Sequence, residues 1–416
     1  MPVDREPLAD GMVTVAEGRI VAVGENASGL PPRELGDVAL LPGFVNAHTH
    51  LEFSSLKEPL GQPGMPFPDW IQAVIDWRRS VLTQQFQQPQ ETLKRRMEAI
   101  LWGLAVSRAY GVAAVGEIGT RSFPPFHCDA LGGWGPHCTV FYEVLGLEPK
   151  RASDLLVTAS EFLAGRRESF VRGLSPHAPY TVGLALLDQV CRLAAERDVP
   201  LAMHLAESRA ELELLASHSG PLMELLRALD AWHPSAVPMG TRPLEYLRAL
   251  SGVRRSLVIH GNYLTDEEIC FLAAQRERMS LIYCPRTHAY FGHDKYPLAK
   301  MLAASVHVAI GTDSLASNPD LDVFSELLHI AADHSDVSPE EILRLGTIRG
   351  AEALGIADQF GTIAPGKWAA LAMVPIDPQV RDPYEALFDL ENKELSAMVV
   401  YTDEDRETLK QLEPWS

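Results

Sequence analysis

The chain has 416 residues, of which 36 are Lys or Arg and 55 are Asp or Glu, so its formal net charge is −19. Hydrophobic residues make up 46% of the chain and charged residues 22%, an ordinary globular composition that excludes extended disorder. The acidic balance argues against nucleic acid or an anionic membrane as the main partner and leaves a small-molecule substrate open.

The cysteines and the N-terminus bear on the compartment. Five cysteines in so long a chain do not make a disulfide framework, and none belongs to a CxxC pair. The N-terminus lacks the basic and apolar regions of a signal peptide, and no run of about 18 apolar residues occurs. These features predict a cytoplasmic protein and leave its oligomeric state, including a homo-oligomer, open.

Both ends of the chain show short β patterns. Residues 11–24 read as two strands around the turn Glu17-Gly18, and residues 361–375 contain a Gly/Pro-rich turn followed by an apolar strand. We expect the two flanks to pair into one small β domain with the rest of the chain inserted between them. Two unrelated hairpins are the alternative.

The middle of the chain alternates short apolar runs with helix-like stretches. The runs lie at 44–48, 112–117, 139–145, 171–175, 200–204, 256–260, 279–284 and 306–311. Eight strands separated by helices are typical of a (β/α)₈ barrel, although a doubly wound sheet would give a similar pattern. The Pro/Gly-rich loop 57–70 is expected to cover a site.

Polar residues stand where these predicted strands end. The carboxyl ends of barrel strands converge on one face, whereas a doubly wound sheet would not bring its first and eighth strands together. The residues concerned are His48, His50, Glu117, His177, His204, His260 and Asp313. The sequence therefore predicts that they meet in one funnel.

His48 and His50 carry the strongest local signal, because residues two apart on a strand point the same way and both imidazoles can reach one ion. With His204 and Asp313 they make a set of three histidines and one carboxylate that leaves room for water, as a catalytic Zn²⁺ or Fe²⁺ site requires. Glu207, three residues past His204, suits general acid/base work. Taken singly, His204 could be a core histidine, Asp313 a turn residue, and Glu207 a helix-start carboxylate.

The segments PGFVNAHTHLE, SPHAPYT, HLAES and GTDSLASN resemble the amidohydrolase superfamily. More narrowly, they resemble its branch of chlorohydrolases and aminohydrolases, which contains S-adenosylhomocysteine, methylthioadenosine, guanine and 6-aminodeoxyfutalosine deaminases. EGRIVAVG and GTIAPGKWA are similar to the composite β domain of that family. The resemblance implies a (β/α)₈ barrel over residues 44–358 and a small composite β-sandwich domain built from residues 1–43 and 359–416.

The resemblance also implies roles for individual residues. His48, His50, His204 and Asp313 would hold one divalent metal ion per chain, Zn²⁺ or alternatively Fe²⁺. One ion is expected because no lysine that could bridge two ions stands at a predicted strand end; Lys57 and Lys295 are the nearest. Glu207, His260 and Asp313 would be catalytic, while His177, Glu117 and Arg286 would bind substrate.

The implied activity is metal-dependent hydrolytic deamination of a 6-aminopurine nucleoside, with attack by a metal-bound hydroxide and release of ammonia. HTHLEFS and CPRTHAYF favour an anionic or bulky 5′ group, and the first choice is 6-aminodeoxyfutalosine of menaquinone biosynthesis. Arg286 would bind its carboxylate, an ion pair within the protein being the alternative. The other readings are deamination of S-adenosylhomocysteine, methylthioadenosine or guanine, a chlorohydrolase or cyclic amidohydrolase, and a non-catalytic scaffold.

Overall fold

The computed structural model describes residues 1–24, 31–87, 89–120, 135–165, 170–389 and 398–399. Within these ranges the strands are β1 Val13–Ala16, β2 Arg19–Val23, β3 Val38–Pro42, β4 Phe44–Thr49, β5 Val112–Gly119, β6 His137–Val144, β7 Phe170–Pro176, β8 Leu201–Leu205, β9 Ser256–His260, β10 Met279–Tyr283, β11 Val308–Ile310, β12 Leu371–Pro375 and β13 Met398–Val399.

The helices in the same ranges are α1 Phe67–Gln87, α2 Pro89–Ala109, α3 Ala152–Ala164, α4 Leu184–Arg197, α5 Arg209–Ser217, α6 Pro221–Ala228, α7 Pro243–Leu250, α8 Asp266–Ala274, α9 Pro285–Tyr290, α10 Leu298–Ala303, α11 Val323–Asp333, α12 Pro339–Leu345, α13 Ile348–Leu354 and α14 Pro383–Phe388. Two short 3₁₀ turns lie at Leu51–Phe53 and Pro149–Arg151. Although α1 and α2 have 21 residues each, neither these nor any other helix in the described ranges is apolar and long enough to cross a membrane.

Strands β4 to β11 form one parallel sheet in chain order. The sheet closes on itself, because Thr49 bridges to Asp313 in parallel and the Asp313 N–H donates to the His48 carbonyl at 3.1 Å. Strands such as β4 and β5 are buried along their whole length, as parallel strands covered by helices are. The predicted (β/α)₈ barrel is confirmed, and the doubly wound alternative is excluded.

Closure depends on a polar clasp between the first and last barrel strands. The Asn46 side-chain amide donates to the Thr312 hydroxyl at 2.8 Å, and the Thr312 N–H donates back to the Asn46 side-chain oxygen at 3.1 Å. Gly311 permits the close approach, because a Cβ at this position would lie 2.7 Å from the His48 carbonyl oxygen. The same contact positions His48 at the mouth of the barrel.

The flanks of the chain pair with each other. β1 and β2 form an antiparallel hairpin whose turn residues Glu17 and Gly18 have φ of 51° and 72°. β3 pairs antiparallel with β12, which also pairs with β13. Ile20 of the hairpin packs on Leu371 of β12, so the hairpin and the sheet share one apolar cluster. The boundaries 1–43, 44–358 and 359–416 stay a prediction, and much of the last segment lies outside the described residues.

Two local expectations differ from the structure. The sequence over 208–229 predicts one continuous helix, but the structure has two, α5 and α6. His218 and Gly220 have φ of 51° and 86°, and Pro221 begins the second helix. Helix α1 begins inside the loop expected at 57–70. The Trp70 indole N–H and the Leu60 N–H both donate to the Ala316 carbonyl at 2.9 Å, which holds this segment against the loop that follows Asp313.

Candidate active site

Histidine and aspartate donors from three barrel strand ends meet at the mouth of the barrel. The Nε2 atoms of His48 and His50 lie 3.6 Å and 3.7 Å from the same Asp313 oxygen, and the Nε2 atoms of His50 and His204 lie 3.3 Å apart. His48 also groups with His204 and His260, with donor atoms within 4.8 Å of one another. The predicted metal ligands His48, His50, His204 and Asp313 are therefore brought together.

The donors fit a divalent metal ion. Both ring nitrogens of His48 and the Nε2 of His260 are buried without a hydrogen-bond partner among the described residues. Burial lowers the pKa of His50 well below its ordinary value and that of His204 to about 3, so the rings are neutral, the form that binds metal. Imidazole nitrogens and a carboxylate are the donors that Zn²⁺ and Fe²⁺ prefer.

A surrounding layer of hydrogen bonds orients these donors. The His204 Nδ1 lies 3.0 Å from the His177 carbonyl, which directs its Nε2 toward His50. The Ser317 hydroxyl donates to one Asp313 oxygen at 3.2 Å and leaves the other facing His48 and His50. Such outer contacts fix ligand geometry before an ion binds.

Three non-glycine residues around the site adopt left-handed backbone. Ala206, His260 and Asp313 have φ of 52°, 68° and 59°. This conformation costs about 1–3 kcal/mol per residue and persists only where the surroundings enforce it. For Ala206 the enforcing group is the buried Glu211 carboxylate, which accepts the N–H groups of Ala206 and Glu207 at 2.8 Å and 3.1 Å.

Glu207 and His260 form an acid–base pair next to the metal ligands. The Glu207 Oε1 lies 3.3 Å from the His260 Nε2, although the angle does not make a hydrogen bond. Burial, reinforced by the charges of Asp313 and Glu211, raises the pKa of Glu207 well above its ordinary value. A carboxyl in this setting can hold a proton near neutral pH and deliver it.

The three predicted substrate-binding residues have different surroundings. His177 lies beside the ligands, with its ring centroid 5.0 Å from that of His204 and its Nδ1 2.7 Å from the Thr181 hydroxyl. Both Glu117 oxygens accept the Leu51 N–H, at 3.1 Å and 2.9 Å, so this buried carboxylate fixes the backbone just after His50.

Arg286 is bonded to acidic residues of its own chain. Its Nε donates to Glu326 at 2.7 Å, and its two terminal nitrogens donate to the Asp320 carboxylate at 3.1 Å and 2.5 Å. One of them also reaches the Asp322 carbonyl at 3.3 Å. The guanidinium is thus already bonded within the protein, and this placement favours the ion-pair alternative over a substrate carboxylate.

Sequence reasoning missed three residues around the mouth of the barrel, here called the rim: Glu143, Arg78 and Tyr180. Glu143 is the penultimate residue of β6 and is buried with its Oε1 3.9 Å from the His177 Nε2. Its position as the acidic residue in the apolar run TVFYEVL follows the same strand-end rule as Glu117 and was a usable signal. Arg78 of α1 and Tyr180, whose ring stands edge-on to His177 at 5.8 Å, come from a helix and a loop. Periodicity gives no signal for either.

Charge at the rim centres on Arg78. Its Nη2 donates to the Oε1 of Glu52 at 2.5 Å, and Glu52 stands two residues past His50 in the sequence. Its charge helps to lower the pKa of both His50 and His177, behind burial, which is the larger cause. Burial raises the pKa of Glu143 to about 7, and the attraction of Arg78 opposes that rise. Arg78 therefore lies between two carboxylates on the side of the site that holds His177.

Comparison with known proteins identifies the family of this chain. The model of the amidohydrolase family matches residues 39–407. A 5-methylthioadenosine/S-adenosylhomocysteine deaminase of Moorella thermoacetica is 29% identical over 407 residues, covering 92% of this chain and 86% of that protein. An aminodeoxyfutalosine deaminase of Deinococcus radiodurans is 27% identical over 362 residues, covering 81% of each.

Among solved structures, Helicobacter pylori aminofutalosine deaminase in complex with methylthio-coformycin superposes with a TM-score of 0.76 at 24% identity, covering 94% of each chain. At this identity the similarity supports the fold. The family model, in contrast, spans most of the sequence and includes every metal-ligand candidate. The chain belongs to the amidohydrolase family, whose members are metal-dependent hydrolases.

Proposed function

We propose that this protein is a metal-dependent hydrolytic deaminase of a 6-aminopurine nucleoside. The observation that carries the proposal is the buried pair Glu207 and His260, 3.3 Å apart, beside His48 and His204. An aromatic amine is a poor leaving group, so its loss needs a proton donor next to the activated water. This pair supplies such a donor at the required place.

We propose one Zn²⁺ per chain, held by His48, His50, His204 and Asp313. When bound, the ion would act as a Lewis acid and lower the pKa of a bound water to about 7 from 15.7 in bulk. Support for one ion comes from the donor set, since among the described barrel strands none ends in a lysine that could bridge two ions. Fe²⁺ is the alternative for the same donors.

The protein's own groups perform the proton transfers. Glu207 carries a proton and gives it to the ring nitrogen beside the amino-bearing carbon, which makes that carbon electrophilic. His260 accepts a proton from the incoming water at its Nε2, and Asp313 is kept in position by Ser317. His260 then gives that proton to the leaving amino group, and the hydroxyl proton of the adduct passes to Glu207. Ammonia leaves, a carbonyl oxygen remains, and both side chains return to their starting protonation states.

The 5′ substituent is a separate proposal. The relatives point to methylthioadenosine, S-adenosylhomocysteine and aminodeoxyfutalosine, which share the 6-aminopurine ring and differ at the 5′ position. HTHLEFS and CPRTHAYF favoured 6-aminodeoxyfutalosine, but Arg286, the residue expected to bind its carboxylate, is bonded to Asp320 and Glu326. We therefore propose the nucleoside class and keep 6-aminodeoxyfutalosine as one member of the test panel.

Replacing Glu207 by Gln tests the proposal, because Gln keeps the shape and cannot donate an acidic proton. We expect kcat for ammonia release to fall about 10²- to 10⁴-fold while the metal content stays unchanged. The matched control is Glu196→Gln, the same replacement on the exposed end of α4. If Glu207→Gln keeps its kcat within a few-fold of the wild type, Glu207 is not the proton donor and the proposed mechanism is wrong.

A further inference from the structure

Glu143 is a buried carboxylate that the proposed mechanism does not use. Its side chain is 2% exposed, and no hydrogen bond reaches its oxygens from the part of the chain that the structure describes. Its nearest polar partner is the His177 Nε2 at 3.9 Å, which is too long for a hydrogen bond. A buried polar group without a partner is costly, so Glu143 calls for a ligand.

The facing atoms of Glu143 and His177 define what this ligand can be. His177 is oriented through its Nδ1, which lies 2.7 Å from the Thr181 hydroxyl, so its other nitrogen faces Glu143. A hydroxyl group placed between them can donate to the carboxylate and can pair with the His177 Nε2 in either tautomer. The gap therefore suits a ligand that carries hydroxyl groups.

Arg78 adds a positive charge near the same two residues. Its side chain is 34% exposed at the rim, and its charge acts on Glu143 and His177. A guanidinium charge therefore acts on both members of the Glu143–His177 pair. Two acceptor oxygens beside a cationic donor match the two neighbouring hydroxyls of a sugar.

The position of this pocket follows the layout of a purine nucleoside, and this step rests on the proposed function. The amino-bearing carbon has to lie at the metal ligands, and the glycosidic nitrogen belongs to the other ring of the purine. The sugar therefore lies outward, past the residue that flanks the base. The His177 ring centroid lies 5.0 Å from that of His204, and the His177 Nε2 lies 3.9 Å from the Glu143 Oε1.

We propose that Glu143 binds the 2′,3′-diol of the substrate's ribose, with Arg78 and His177 beside it, and so selects ribonucleosides over their deoxy counterparts. Each carboxylate oxygen accepts one hydroxyl hydrogen. A sugar without the diol leaves the buried carboxylate unpaired, which is the arrangement that gives strong discrimination.

Wild-type enzyme and Glu143→Gln are compared on 5′-methylthioadenosine and on its 2′,3′-dideoxy counterpart, with ammonia release as the readout. We expect the wild type to prefer the ribonucleoside in kcat/KM by at least about 10- to 150-fold, the effect of one hydrogen bond to a charged group. Glu143→Gln should lose a similar factor on the ribonucleoside and less than about twofold on the dideoxy substrate. The matched control Glu148→Gln, on the exposed turn that follows β6, should change neither value.

Several outcomes would overturn the inference. Equal wild-type turnover of both substrates, or an equal loss on both in Glu143→Gln, would make Glu143 a structural residue. A loss seen only with S-adenosylhomocysteine would mean that the carboxylate binds an amino group instead of the diol. The wild-type comparison needs no variant, so it stands even if Glu143→Gln does not fold. Absence of ammonia from every nucleoside would overturn the proposed function as well, whereas ammonia without diol preference would overturn this inference alone.

Discussion

Two groups of side chains lie at the carboxyl ends of barrel strands. One is the His/Asp cluster of His48, His50, His204 and Asp313, and the other is the corner between β10 and α9 that holds Arg286. In the His/Asp cluster, donor atoms from different strand ends lie 3.3 Å to 3.7 Å apart, and among the described residues the two ring nitrogens of His48 have no hydrogen-bond partner. At the corner, the Arg286 guanidinium turns to Asp320 and Glu326 of its own protein.

The difference follows from what holds each side chain. His48 and His204 lie within strands, so the barrel geometry fixes their direction toward the mouth. Arg286 stands on the first turn of α9, where Pro285 has already ended the strand, and the fully buried Glu326 of α11 needs a cation beside it. A strand-end position therefore predicts the surroundings of short, in-strand side chains better than those of long ones beyond the strand.

Replacing a histidine of the His/Asp cluster should have the largest effect on activity. In His204→Ala we expect loss of most of the bound metal and a fall in kcat of more than about 10⁴-fold, because water activation depends on the ion. Metal analysis of the purified protein and the ammonia-release rate measure this. His233→Ala, in a surface loop, serves as the control. Full metal content and activity in His204→Ala would show that the His/Asp cluster is not a metal site.

Replacing the corner cation should affect stability more than activity. Arg286→Met leaves the buried Glu326 without its cation, and breaking such a pair costs about 3–5 kcal/mol in the free energy of unfolding. Arg254→Met removes an exposed pair with Asp198 at 3.0 Å and should cost about 0–1 kcal/mol. Urea unfolding measures both values. An unchanged unfolding free energy together with a selective loss on 6-aminodeoxyfutalosine would restore Arg286 as a substrate ligand.

The barrel and the His/Asp cluster could be predicted from the sequence because each depends on a strong local pattern. Eight apolar runs predicted the strands, and polar residues at or just past the ends of these runs predicted the candidate ligands, as with His204 in PLAMH and Asp313 in GTDS. The same rule applied to Glu143 would have added it to the site. The backbone strain at Ala206 and His260 could not be predicted, because it depends on partners such as Glu211 that only the fold brings close.

The rim could not be predicted for a different reason. Arg78 reaches the site from the middle of α1, and Glu117 turns both of its oxygens to the Leu51 N–H. Both outcomes depend on how helices and the turn after β4 pack, which periodicity does not encode. On the proposed function we expect the 5′ group of the substrate to be recognised at this rim, where the sequence pattern is weakest.

The most direct test of the account is ammonia release by the zinc-loaded protein across adenosine, 5′-methylthioadenosine, S-adenosylhomocysteine and 6-aminodeoxyfutalosine, with a chlorotriazine and a cyclic amide as the contrasting substrates. We expect stoichiometric ammonia and the corresponding 6-oxopurine nucleoside from at least one of the four nucleosides. Chelation should abolish this activity, and one equivalent of metal per chain should restore it. Hydrolysis of the chlorotriazine or the cyclic amide with no ammonia from any nucleoside would contradict it.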